Sequence, residues 1–248
     1  MQRYFVNKQE QGRFILEGED RHHIVKVMRM TPDEEIICVD PAGRSALCKI
    51  AEITDEAVMA DIVKWNDETA ELPVHVAIAC GLPKGDKLEW IIQKGTEMGA
   101  HRFVPFTAAR SVVKLDEKKS GKKVERWQKI AKEAAEQSHR NHVPEVTVPM
   151  DFQSLLKASD AYQFKLVAYE EESRSGETSV FRETLSQIKT DDSLFIVFGP
   201  EGGLSEKEVM LLKENDFKLC GLGPRILRAE TAPLYALAAI SYQLELMR

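Results

Sequence analysis

The stretch Ser193-Leu194-Phe195-Ile196-Val197-Phe198-Gly199-Pro200-Glu201-Gly202-Gly203-Leu204-Ser205 passes from an unbroken apolar run into a glycine-rich loop. A run of that kind is expected for a strand covered on both faces, as in a parallel sheet. The next residues, Ser205-Glu206-Lys207-Glu208, have the spacing of a capping box and predict a helix. Strand, glycine loop and capped helix are the grammar of an open α/β sheet, in which ligands bind beyond the carboxyl ends of the strands. Glycines let a ligand approach the backbone with no Cβ in the way, and their N–H groups can donate to it. The spacing is not G-x-G-x-x-G, so no dinucleotide fingerprint is met, and Gly81 to Lys87 lacks the G-K-[ST] ending of a P-loop. A plain tight turn accounts for G-P-x-G-G as readily as a ligand site does.

A second loop of the same kind lies downstream. Lys218-Leu219-Cys220-Gly221-Leu222-Gly223-Pro224-Arg225-Ile226-Leu227-Arg228-Ala229-Glu230-Thr231-Ala232 runs from a short strand to an apolar helix through a loop shaped by Gly and Pro. Glu230 or Thr231 at the helix start complements the dipole, but Arg225 and Arg228 then stand at its unfavourable end. Two such loops in one domain favour a binding cleft for a small ligand with polar edges.

Upstream, Val74 to Cys80 reads as another doubly covered strand. Helices are expected over Asp86 to Met98, about Val124 to Ser138, Ser179 to Ile188 and Pro233 to Met247, with Asp86 as N-cap of the first and Gly99 as its left-handed C-terminal residue. Before Pro73 the pattern differs. Short β-rich runs at Tyr4 to Val6, Phe14 to Leu16, Glu35 to Val39, Ala46 to Ile53 and Val58 to Val63 predict a small β-barrel-like module, with a helical turn or two within Glu19 to Met30. The polar stretch Asn66 to Glu71, followed by Pro73, is the best linker, which gives domains 1–70 and 73–248.

The 248 residues are 43% hydrophobic and 30% charged, an ordinary folded composition rather than a disordered or fibrous one. Cys38, Cys48, Cys80 and Cys220 are scattered and form no C-x-x-C pair, so reduced, mostly buried thiols are expected and no zinc ribbon. His139 and His142 have no third ligand close in sequence, and no metal is expected. No apolar leader and no stretch near the roughly 18 apolar residues of a membrane span is present, so the expected location is cytoplasmic.

With 34 basic and 40 acidic residues the net charge is −6, which by itself speaks against a nucleic-acid partner. The charge is uneven, however. Residues 110–142 carry ten basic groups against five acidic ones, a +5 island that begins in Arg110-Ser111-Val112-Val113-Lys114 and continues into a helix with Trp127, ending in Ser138-His139-Arg140-Asn141-His142. A solvated helix face is the ordinary account of such a run. Lysines on a loop can also follow a phosphate backbone, while Arg, Asn, His and an aromatic ring can engage unpaired bases. Physics alone leaves the two accounts level.

Gly199-Pro200-Glu201-Gly202-Gly203 and Leu222-Gly223-x-Arg225-Ile226-Leu227-Arg228-x-Glu230-Thr231-Ala232 together resemble the SPOUT-class methyltransferases that modify a uridine at N3 in bacterial 16S ribosomal RNA, the RsmE family. The resemblance extends to Lys94-Gly95-Thr96-Glu97-Met98-Gly99, Arg110-Ser111-Val112-Val113, Arg126-Trp127, Ala134-Ala135-Glu136-Gln137-Ser138-x-Arg140 and His23-x-x-x-Val27-Met28-Arg29, nearly the whole chain. Met28 stands where Leu is expected.

The resemblance implies an N-terminal PUA-like β-barrel for RNA docking and a C-terminal α/β methyltransferase domain with a trefoil knot. It also implies S-adenosylmethionine as cofactor, a homodimer, and 16S ribosomal RNA or the small ribosomal subunit as partner, with no membrane and no metal. Gly199, Glu201, Gly202, Gly203, Leu222, Gly223, Ile226, Leu227 and Arg228 would surround the cofactor. Uridine N3 carries a proton and is a poor nucleophile until it leaves, so a carboxylate base, Glu230 or Glu201, and an arginine at the uracil oxygens, Arg228 or Arg140, are the candidate catalytic groups. RNA contacts are expected from Arg21, Arg29, Arg110, Lys114, Lys118, Lys119, Lys122, Lys123, Arg126 and Arg140. The alternatives are a related methyltransferase acting on another RNA nucleoside or a 2′-hydroxyl, or a cofactor-free RNA-binding protein.

Overall fold

A computed structural model describes residues 1–111, 117–177 and 179–247, apart from the side chains of 117–120 and 173–175. The chain divides into two compact units, Met1–Glu71 with Ala135–His142, and Leu72–Ala134 with Val143–Arg248. The first unit ends with the polar stretch at Glu71, and residues 135–142 return to it. A carboxylate explains that return. Glu71 accepts the backbone N–H groups of Asn141 at 2.9 Å and His142 at 3.1 Å, together with the guanidinium of Arg140.

The first unit contains β1 (Arg3–Phe5), β2 (Lys8–Glu10), β3 (Arg13–Glu17), α1 (Gly18–His22) running into a π-helical turn (His23–Val27), β4 (Glu35–Val39), β5 (Ser45–Ile53) and β6 (Ala57–Trp65). They form one six-stranded sheet in the order β1-β4-β5-β6-β3-β2, antiparallel except for the β1–β4 pair. Inward residues such as Phe14, Leu16, Ile36, Cys48, Ile50 and Val58 share a core with Tyr4 and Ile24. β2 has no apolar signature because all three of its residues are exposed. It exists because Gln11 and Gly12 both take positive φ, 48° and 81°, as a two-residue hairpin turn requires.

The second unit contains β7 (His75–Gly81), α2 (Lys87–Glu97), β8 (Arg102–Phe106), α3 (Glu117–Gln137), whose last residues belong to the first unit, β9 (Glu145–Val146), α4 (Phe152–Ser159), β10 (Phe164–Ala168), α5 (Glu170–Ser175), α6 (Val180–Gln187), β11 (Ser193–Phe198), α7 (Glu206–Glu214), β12 (Lys218–Cys220) and α8 (Thr231–Ser241), extended by a π-helical turn (Tyr242–Leu246). All six strands are parallel, in the order β12-β10-β11-β7-β8-β9. On β11, Leu194, Ile196 and Phe198 enter a core that contains residues of α2, α6 and α8, while Phe195 and Val197 enter another with residues of α4 and α7. Both faces are covered, which is why Ser193–Phe198 has no polar alternation.

β8 was not foreseen, since Pro105 within Arg102–Phe106 argues against a strand, and β10, α4 and α5 also went unread. Gly99 has φ 91° as expected, and Ser205 forms the full capping box with Glu208. Asp86 sits at the N-cap of α2, but its side chain makes no capping hydrogen bond.

Candidate active site

In the second unit a cleft of about 590 Å³ opens where β10, β11 and β12 end. Ala168 and Phe198, the last residues of β10 and β11, form its base. The loop after β11, Gly199 to Leu204, makes one wall. Leu222 and Arg225 to Ala229, from the loop after β12, make the other with Ala232 of α8. Tyr169, Glu170, Glu171, Lys87 and Arg110 complete the lining. Small-molecule sites are typically roughly 300–1,000 Å³, so the cleft has the size of one nucleoside-like ligand.

Backbone packs directly on backbone around the first wall. A Cβ on Gly81, at the end of β7, would lie 2.5 Å from Pro200 Cδ and 2.7 Å from Pro200 N. A Cβ on Gly202 would stand 3.1 Å from Arg110 Cβ, and one on Gly199 would stand 3.2 Å from Leu204 N. Gly203 has free space but a φ of 69°. The glycines therefore serve the packing and turning of the loop itself, as well as any ligand.

Two carboxylates outside the motifs hold these walls. Glu208 Oε2 accepts from Ser205 N at 2.7 Å, and Oε1 accepts from Ala109 N at 2.8 Å, which fixes the segment before Arg110. Arg110 in turn donates to Gly202 O at 3.3 Å. Glu177 accepts from Val180 N at 2.7 Å and Gly221 N at 2.9 Å, anchoring the start of the second wall. Despite burial these backbone donors hold the Glu177 carboxyl below its ordinary range. The capping box pointed to Glu208 but not to its second partner, and no sequence signal marked Glu177.

Lys87 joins the walls. Its Nζ lies 2.9 Å from Glu201 Oε1 and 3.2 Å from Glu230 Oε2. The hydrogen bond to Glu201 first, then the ion pair with Glu230, holds the ammonium above the usual lysine range. Burial pushes Glu201 up, but Lys87, its own backbone N–H and the Lys84 N–H bring it net below the carboxylate range. Glu230 is lowered first by its own backbone N–H, then by Lys87 and Arg228. Both carboxylates are thus ionised at neutral pH.

Eight of the nine residues expected around a cofactor, Gly199, Glu201, Gly202, Gly203, Leu222, Ile226, Leu227 and Arg228, line this cleft. Gly223 does not; it turns the loop with φ 85°, its Cβ position 3.6 Å from Tyr235 Oη. Arg228 is exposed, and Glu230 borders the cleft through Lys87.

Arg140 is different. It is 1% exposed, with Nε 3.0 Å from Glu71 Oε2 and Nη2 donating to the same carboxylate, while Arg3 donates to its carbonyl at 3.0 Å. An enclosed, engaged guanidinium offers no donor to RNA or uracil, so the expectation for Arg140 is corrected to a tie within the first unit. Trp127 is likewise 4% exposed and packs in the sheet core rather than offering a stacking face.

Arg21 donates through Nε and Nη2 to Thr54 O at 2.9 and 2.7 Å, and Arg29 is exposed with φ 55°. Arg126 is exposed and 2.7 Å from Glu89. Lys122 and Lys123 are exposed on α3, whereas Lys114 and the side chains of Lys118 and Lys119 fall outside the described residues. Among the described residues no three His, Cys, Asp or Glu side chains come together as a metal site, and no helix is long and apolar enough to cross a membrane.

Comparison with known proteins agrees with this arrangement. Residues 70–241 match the model of an RNA methyltransferase domain, and residues 16–63 that of an RNA methyltransferase PUA domain. Ribosomal RNA small subunit methyltransferase E of Bacillus subtilis is 56% identical across the whole of this chain and 99% of its own length. The protein of that name from Neisseria gonorrhoeae, solved with S-adenosylmethionine bound, superposes with a TM-score of 0.82 at 26% identity over 97% of both chains. A Legionella pneumophila structure with the same cofactor gives 0.83 at 26% identity over 96% of both. The two-loop cleft therefore stands in an RNA methyltransferase fold, and the chain belongs to the ribosomal RNA small subunit methyltransferase E family.

Proposed function

We propose that this protein transfers a methyl group from S-adenosylmethionine to N3 of a uridine in small-subunit (16S) ribosomal RNA. The observation that carries the reading is the two-loop cleft at the strand ends, in a chain 56% identical over its full length to a methyltransferase of that name. The lining suits the cofactor. Leu222, Leu227 and Ala232 offer apolar surface to an adenine ring, and loop N–H groups offer donors to its edges. Glu170, Glu171 and Glu201 suit a ligand with an ammonium and a sulfonium.

When bound, the cofactor supplies an electrophilic methyl carbon. The remaining work falls to this chain. Arg228, exposed at the mouth of the cleft, is placed to stabilise charge developing on the uracil oxygens as the N3 proton leaves. Glu230 is the proton acceptor of the proposal. Its lowered pKa keeps it ionised through neutral pH but makes it a weak base, so proton removal leans on Arg228.

RNA would be held by Arg110, at the cleft, and by the exposed Lys122 and Lys123, with the PUA-like unit docking the substrate through Arg29. Pairing as a homodimer is supported by Trp90 on α2 and by Tyr235, Tyr242 and Leu246 on α8 and its extension, all 39–72% exposed, with α8 itself apolar all round. The reading places the protein in the cytoplasm with its RNA.

Mass spectrometry of nucleosides from 16S RNA or small subunits incubated with the protein and methyl-labelled S-adenosylmethionine tests the reading. Labelled 3-methyluridine is expected; another methylated nucleoside, a 2′-O-methyl product or no incorporation overturns it. Glu230→Gln is expected to cut turnover roughly a hundred- to ten-thousand-fold, and near-wild-type turnover removes its assigned role.

A further inference from the structure

Lys87 is the first residue of α2, where the helix dipole presents positive potential and a cation is disfavoured. Its side chain nevertheless lines the cleft, with one ammonium touching a carboxylate from each wall: Glu201 at 2.9 Å from the loop after β11 and Glu230 at 3.2 Å from the loop after β12. The Lys84 N–H donates to the same Glu201 oxygen at 3.2 Å, so the segment before α2 grips the first wall twice. Lys87 lowers both carboxyls, and Arg228 adds to its effect at Glu230.

We propose that Lys87 is a positioning residue: its ammonium clamps the glycine loop to the arginine loop and so sets the gap that admits S-adenosylmethionine. Two carboxylates brought to one point repel, and a like charge disfavours ionisation of its neighbour. An ammonium between them reverses that, which accords with both carboxyls lying below their ordinary range. Without it, one carboxyl must swing away or take up a proton, and the walls lose their shared tie. The clamp also fixes the direction of Glu230, whose carboxylate must face the uracil for the proposed proton transfer. Lys87 itself transfers no proton in this scheme.

The inference rests on the reading that the cleft takes S-adenosylmethionine, and two measurements separate them. The first uses ligand-free protein. Carboxyl carbons of Glu201 and Glu230, followed by nuclear magnetic resonance with E201Q and E230Q for assignment, should titrate at higher pH in Lys87→Met than in wild type, and near wild type in Lys87→Arg. The second is calorimetry. Lys87→Met should weaken S-adenosylmethionine about tenfold at neutral pH, as expected for a lost charge-assisted contact, with the acid limb of binding moved to higher pH, and Lys87→Arg should recover most of the affinity. Carboxyls that titrate alike in Lys87→Met and wild type overturn the clamp whatever the wild type binds. Moved carboxyls with unchanged affinity in Lys87→Met overturn its role in setting the gap. A wild type that binds no S-adenosylmethionine overturns the cofactor reading, and the proposed role with it, while moved carboxyls would still establish the ion network.

Discussion

Two ionic clusters, one in each unit, share ingredients and differ in surroundings. In the first unit Arg140 and Glu71 form a pair whose side chains are 2% and 23% exposed, closed further by backbone donors of Asn141 and His142. In the second, Lys87, Glu201 and Glu230 are 35%, 31% and 17% exposed and edge an open cleft with Arg228. A guanidinium enclosed with its partner is committed to one geometry, because uncovering either charge leaves the other buried and unpaired. A cluster open to water can exchange partners when a ligand arrives. Sequence alone offered Arg140 and Arg228 for one chemical role; burial distinguishes them.

The largest expected effect strikes the enclosed cluster. Arg140→Ala or Glu71→Ala should lower unfolding free energy by about 3–5 kcal/mol, read by urea denaturation, whereas Arg228→Ala should leave the midpoint in place. For turnover the order reverses: Arg228→Ala should lose roughly a hundred- to a thousand-fold with its fold intact. An Arg140 variant that is stable but inactive, or an Arg228 variant that melts early, breaks the comparison.

Next in size is Gly81→Ala. Its methyl would press within 2.7 Å of Pro200 N, so the first wall must shift. Calorimetry should show S-adenosylmethionine weakened by more than about tenfold, with the N-terminal unit's melting unaffected; unchanged affinity would mean the wall is not part of the site.

The open cluster should also leave a trace in acid. Glu201 and Glu230 titrate below the ordinary 4.5 in the folded protein. Groups with a lowered folded pKa stabilise above the unfolded value, and that stability is lost as pH falls through the folded one. Stability should therefore decline below about pH 4.5, less steeply in the Glu201→Gln, Glu230→Gln double variant; equal slopes would show that the fold does not stabilise the two carboxylates in their ionised form.

Smallest is the basic stretch. Neutralising Lys114, Lys118, Lys119, Lys122 and Lys123 should reduce the salt slope of RNA binding by up to about 0.7 per contact removed without touching stability. An unchanged slope excludes this stretch from the RNA interface. Arg126→Ala, which frees Glu89 from an exposed pair, should leave the melting temperature unchanged.

Much of the second unit could be read from local pattern. Ser193–Phe198 emerges residue for residue as β11 because a strand covered on both faces is apolar at every position. Ser205 and Glu208 announced α7 through a three-residue spacing that the backbone geometry of a helix start requires. β8 was hidden by Pro105 and β2 by its exposed polar residues, since pairing with a neighbouring strand, not composition, creates them. Trp127 and Arg140 were read as groups offered to RNA because a basic run suggests solvent, whereas Trp127 lies on an inward face of α3 and Arg140, beyond its end, is enclosed with Glu71.

The sequence by itself determined the two-unit plan, the doubly covered strands, the two glycine loops and the family, because these depend on short-range spacing and on residue types that backbone conformation demands. Only the tertiary structure decided that Arg140 is a buried tie, that Glu177 and Glu208 hold the walls, and that Lys87 meets Glu201 and Glu230. Those contacts join residues far apart in the chain, and a charge takes its meaning from the dielectric and the partners around it, which no local pattern records.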